Sequence, residues 1–127
     1  MQQKHLFEYA VIRVVPRVER EEFLNIGVIL YCSRLKFLQA IYLLDENRLF
    51  AFFKGLDIED VKEHVCAMEK ICQGANDAGP IGRLAAASRF RWLTAVRSTV
   101  VQTSRVHPGF CEDPLDTLEK LFVQMVV

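Results

Sequence analysis

The chain has 127 residues, of which 51% are apolar, and its 16 Lys/Arg balance its 16 Asp/Glu. Half-apolar composition excludes a disordered chain, and this length fits one domain, residues 1–127, burying about two-thirds of the surface its unfolded form exposes. The longest apolar run, Ile26 to Cys32, is far short of the ~20 residues of a bilayer span, and Met1 to His5 carries no leader pattern, so the expected compartment is the cytoplasm.

In chain order, Leu6 to Val15 reads as a first strand ended by Pro16, and Phe23 to Cys32 as a second. After a turn at Ser33-Arg34, Leu35 to Leu44 makes a third. Asp45 is an expected N-cap for a short helix from Glu46 to Lys54, with Gly55 at its C′ position. Asp57 should cap a longer helix, whose apolar stripe is Ile58, Val61, Val65, Met68 and Cys72. Gln73 to Gly82 is a loop by composition. Leu84 to Val96 is helix-prone, Ser98 to Ser104 alternates as a fourth strand, and Val106 to Glu112 reads as a Pro/Gly loop. The last helix has Asp113 as N-cap, Pro114 at N1 and a stripe of Leu115, Leu118, Leu121, Phe122 and Met125. This order predicts an α+β fold: an antiparallel sheet of about four strands with helices packed on one face.

The second strand carries Asn25 and Gly27, both poor strand formers, among bulky apolar residues. A hairpin register of Val15 against Phe23, Arg13 against Asn25, Val11 against Gly27 and Tyr9 against Ile29 makes Arg13 and Asn25 cross-strand neighbours. They would share a face with Tyr9, Tyr31 and the bare patch at Gly27, with Ala10, Ile12, Val14, Leu24, Ile26, Val28 and Leu30 facing the core. A guanidinium, an amide and a side-chain gap suit a carboxylate, a phosphate or an incoming chain. The alternative is structural: Arg13 pairs with Glu22, Glu8 or an acid of the last helix, and Gly27 accommodates a ring or a bulge.

Charge is uneven. Residues 78–111 hold five arginines and no acid, whereas 44–77 hold four Lys/Arg against eight acids and 112–127 one against four. Arg83, Arg89, Arg91, Arg97 and Arg105 interleave with Phe90 and Trp92, a mixture suited to phosphate contact and base stacking or to a protein interface. The flanking acidic helices offer internal neutralisation instead.

The four cysteines, at 32, 66, 72 and 111, form no C-x-x-C pair, and Cys66 and Cys72 fall on different faces of one helix. Neither a metal motif nor a Gly-rich phosphate loop occurs, and no cofactor is indicated. Cys111 near His107 is the one conceivable nucleophile and base, without an orienting third group.

Tyr9 to Pro16 (Y-A-V-I-R-V-V-P), Arg20 to Leu30 (R-E-E-F-L-N-I-G-V-I-L), Arg89 to Thr94 with Trp92, and Asp113-Pro114 followed by Leu118, Leu121 and Phe122 together resemble the domain of unknown function 3037 family. In that family a glycine often precedes the motif glutamate, where this chain has Glu21. The resemblance implies a small cytoplasmic bacterial protein with no established activity, whose genes often neighbour those of HipA-like kinases in toxin–antitoxin settings. The expectation is thus a non-enzymatic interaction or regulatory protein, its partner a protein such as a HipA-like kinase. Binding candidates are Arg13, Glu22, Asn25, Gly27, Arg89, Arg91, Trp92 and Arg97. A nucleic-acid-binding accessory protein is the alternative, and a cysteine-dependent enzyme a lesser one.

Overall fold

The computed structural model describes residues 3–127. Met1 and Gln2, on which the leader-pattern expectation partly rests, lie outside the described residues. The elements run β1 (His5–Val14), a 3-10 turn (Val18–Arg20), β2 (Leu24–Cys32), β3 (Phe37–Tyr42), α1 (Glu46–Phe52) and α2 (Ile58–Gln73), then 3-10 turns at Asn76–Ala78 and Ile81–Arg83, and finally α3 (Ala86–Leu93), β4 (Val101–Thr103), β5 (His107–Cys111) and α4 (Pro114–Met125). The fold is α+β around one antiparallel five-stranded sheet.

The sheet runs β3-β2-β1, with the far side of β1 shared between β4, opposite Ile12 to Val14, and β5, opposite His5 to Tyr9. The expected Pro/Gly loop at 106–112 is thus largely a strand. Pro108 is tolerated because β5 is an edge, where a missing N–H costs no ladder bond. Gly109 is required because the Phe7 ring lies where a Cβ would be, 2.5 Å away.

Helices cover both faces of the sheet rather than one. Ala10, Ile12, Val14, Ile26, Ile29 and Tyr31 pack with α2 and α3 through Val61, Val65, Ile71, Phe90 and Leu93. Phe7, Val28, Leu30 and Cys32 pack with α4 through Leu118, Leu121, Phe122 and Met125. Strand residues alternate between faces, so Val28 and Ile29 must serve opposite layers. The fully apolar run Ile26 to Cys32 is therefore a strand buried on both sides, a composition more usual for strands sandwiched between helices.

Caps form where the sequence puts them. The carboxylates of Asp45, Asp57 and Asp113 accept from the backbone N–H of Arg48, Asp60 and Leu115 at 3.2, 3.2 and 3.1 Å. Gly74, at φ 65°, ends α2 in the left-handed region. Gly55 does not end α1. That helix stops at Phe53 in extended backbone, because Leu56 and Ile58 turn into the core before a further turn can form.

Candidate interaction site

The β1–β2 pairing sets Arg13 opposite Asn25, as the hairpin register predicts, but slips by one residue beyond it: Ile12 faces Gly27, Val11 faces Val28 and Tyr9 faces Leu30. Ile26 is the extra residue of a β-bulge. The bulge corrects the expected faces. Leu24 and Ile26 stay on the α2/α3 side, but Ile29 and Tyr31 join them there, and Val28 and Leu30 go to the α4 side. Tyr31 therefore does not accompany Arg13; it stacks on Phe90 at 5.3 Å between centroids.

Gly27 has a neighbour of its own. A Cβ there would lie 2.6 Å from the Ile41 carbonyl oxygen and 2.9 Å from the Tyr42 Cβ, so the side-chain gap is taken up by β3. Arg13 and Asn25 do share a face, extended across the sheet by Gln102 opposite Arg13. Over this row sits the end of α4: the Asn25 amide donates to the Met125 carbonyl at 3.1 Å, and Arg48 donates to the Val126 carbonyl at 2.7 Å. The last carbonyls of a helix lack intrahelical donors and carry the negative end of its dipole, so an amide and a guanidinium are apt partners. Arg13 lies 3.8 Å over the Phe23 ring, and burial lowers its pKa. Glu22 stands apart, bonded to Arg20 at 2.6 Å with both side chains largely exposed. The row thus reads as the seat of the chain's own C-terminal helix, and Arg48 is a member of it that sequence periodicity gave no reason to select.

The arginine-rich segment lies across the sheet. Arg89 spends its guanidinium on backbone oxygens: Ile71 and Cys72 at 2.7 Å each, and Leu84 at 3.0 Å. It closes the C-terminus of α2 and ties α3 to it. Arg91 reaches Glu8 of β1 at 3.7 Å. Arg97 stacks on Trp92, its guanidinium carbon 4.4 Å from the ring centre, and donates to the Trp92 carbonyl. Arg83 and Arg105 are exposed. The outer side of α3 is left with Trp92, 40% exposed, and Leu84, 44% exposed, lining an open shallow groove with Ala87, Ser88 and Arg91.

His107 and Cys111 occupy β5 four residues apart, about 13 Å along an extended strand, which is out of hydrogen-bond reach. The His107 ring packs on Tyr9, and burial, chiefly, pushes the Cys111 thiol upward. Cys32 is among its neighbours. Among the described residues no three His, Cys, Asp or Glu side chains gather to hold a metal ion, and no helix is long and apolar enough to cross a membrane.

An antiparallel sheet clad by helices on both faces, with a basic aromatic helix turned outward, defines a small α+β protein whose candidate site is a surface. The chain belongs to the family described as protein of unknown function (DUF3037), whose model matches residues 9–126. No curated protein and no solved structure matches it.

Proposed function

We propose that this chain is a cytoplasmic, non-enzymatic interaction module that docks a protein partner through the outer side of α3. The observation that carries this reading is Trp92. An indole at 40% exposure, with Leu84 beside it and Arg97 stacked on its ring, is a preorganised aromatic and cationic anchor of the type that dominates protein interfaces. Arg91 adds a cation at the rim, so the complementary surface is apolar with an acidic border. The family resemblance makes a HipA-like kinase the first partner to try.

The Arg13/Asn25 row is the weaker docking surface, since its amide already serves the end of α4. A nucleic-acid role draws support from the acid-free stretch 78–111. Phosphate contact, however, needs free guanidinium groups, and Arg89 and Arg97 spend theirs on backbone carbonyls.

Affinity purification from the native host tests the proposal. Trp92→Ala, which truncates a ring 40% exposed on the outer side of α3, is expected to lose the partner that the unsubstituted chain retains. Retention of every partner by the folded variant refutes the α3 surface. A salt-sensitive mobility shift with DNA or RNA, abolished by Arg83→Ala and Arg105→Ala together, would favour the nucleic-acid reading instead.

A further inference from the structure

The sheet ends at β3, whose outer edge carries no strand among the described residues. The Leu43 N–H donates to the Ile26 carbonyl at 2.7 Å, which sets the phase of the β2–β3 ladder. Phe37, Gln39 and Ile41 turn their backbone groups toward β2. Leu38, Ala40 and Tyr42 turn theirs outward. The six residues Phe37 to Tyr42 include no charge, proline or glycine, so the devices that normally blunt an open edge are missing along its length.

We propose that this edge pairs with the same edge of a second copy of the chain, antiparallel, about a two-fold axis at Ala40. Only residues whose backbone groups point outward can form the bonded pairs of such a ladder. Centring it on Ala40 sets Leu38 of one copy opposite Tyr42 of the other, and the converse, using all three outward residues. Charge selects a second copy over another strand. The turn entering β3 carries Lys36, and the segment leaving it carries Asp45; Arg34 of the same turn lies instead beside Leu6 and Glu8 of β1, and Glu46 is paired with Lys62 at 3.0 Å. Two-fold pairing places the basic entry of each copy beside the acidic exit of the other, matching opposite charges twice. On the α2/α3 side of the edge runs an open groove of about 650 Å³, lined by Lys36 to Ala40 with Glu69, Gln73 and Arg89, so the approach is clear there. This dimer is independent of the α3 docking surface, which lies outside the strand edge.

Sedimentation velocity on the full chain, from roughly 5 to 500 μM, tests it. The mass should rise with concentration from 14.6 kDa to twice that value. Ala40→Pro removes an outward N–H that β2 does not use, and should weaken self-association at least tenfold with an unchanged circular dichroism spectrum. Lys36→Glu, in an exposed turn, should weaken it similarly, and adding Asp45→Asn, which keeps the helix cap, should recover part of the loss; this pair decides the matter if Ala40→Pro does not fold. Trp92→Ala should leave the dimer intact. A monomer at every concentration overturns the proposal, and so does a dimer indifferent to both Ala40→Pro and Lys36→Glu.

Discussion

The two basic regions of this molecule look alike on paper and are used differently. Both put an arginine near an aromatic ring: Arg13 on Phe23 in the sheet, Arg97 on Trp92 after α3. In the sheet, the neighbouring amide serves the carbonyls of α4 and the gap at Gly27 holds the backbone of β3. On α3, the ring and its neighbour Leu84 remain accessible. A polar break in an apolar strand is thus as good a seat for the chain's own helix end as for a partner, and the sequence pattern is the same in both cases. What separates them is whether a second element finds the site within the fold.

The sharpest way to break the comparison is Gly27→Ala. If the gap were a partner's place, a methyl group there would cost binding and leave the fold intact. With the Ile41 oxygen 2.6 Å from the added carbon and Tyr42 behind it, β3 must shift instead, and a backbone oxygen shifts at a cost. The expected loss is about 3 kcal/mol, read as a lower urea midpoint at unchanged m-value. A stability change below about 0.5 kcal/mol would return the gap to the list of docking sites.

Arg89→Ala draws the line inside the basic segment itself. Three carbonyl oxygens, of Ile71, Cys72 and Leu84, lose their donor at the junction of α2 and α3. Water reaches part of this junction, so about 2 kcal/mol is the expected loss. Trp92→Ala, three residues on, should cost less, since it leaves each of those carbonyls with its donor. Equal stability losses in the two variants would mean that α3 has no side free for a partner.

Much of the fold was legible because it follows local chemistry. Asp57 and Asp113 cap the helices they precede, and the Ile58-Val61-Val65 stripe is buried as its spacing requires. The faces of β2 were not legible beyond Asn25, since Ile26 to Cys32 is apolar at every position except Gly27 and its alternation is invisible; one bulged residue inverts every later side chain. Pro108 and Gly109 hid β5 for a different reason. Their suitability depends on an edge position and on the Phe7 ring, both long-range facts. In the candidate site, Trp92 and the arginines were visible as residue types, but which guanidiniums were engaged depended on where α2 ends and where Glu8 lies.

Titration sharpens the contrast between interior and surface on one helix. Cys66 is exposed, while Cys72 is buried near Arg89, where desolvation pushes its thiol up from 9.0 to about 12 against the favourable influence of that cation. In the unfolded chain this thiol ionises near its ordinary value, so the folded state's raised pKa contributes stability that is present below pH 9 and lost as pH rises above it. Between about pH 8 and 10 this thiol should account for about 1.4 kcal/mol of lost stability, and Cys72→Ala should lose less than the unsubstituted chain by that amount. At pH near 8 an alkylating reagent should modify Cys66 and spare Cys72. Equal rates would show that the α2–α3 junction opens, and with it the premise that Arg89 is fixed there.

The smallest effect concerns the turn that delivers Glu22 and Phe23 to the sheet row. Glu21 adopts φ 56°, a left-handed conformation that its Cβ disfavours, and its N–H closes the 3-10 turn on the Val18 carbonyl. Glycine at this position relieves roughly 1–2 kcal/mol of that strain and gives back roughly 0.5–1 kcal/mol through its greater freedom when unfolded. Glu21→Gly should therefore stabilise the chain by about 0.5–1 kcal/mol in urea unfolding. Because Glu21 is exposed and Glu22 keeps its pairing with Arg20, partner capture through α3 should not change. A gain in stability accompanied by lost capture would tie the hairpin turn, and not α3 alone, to the docking surface.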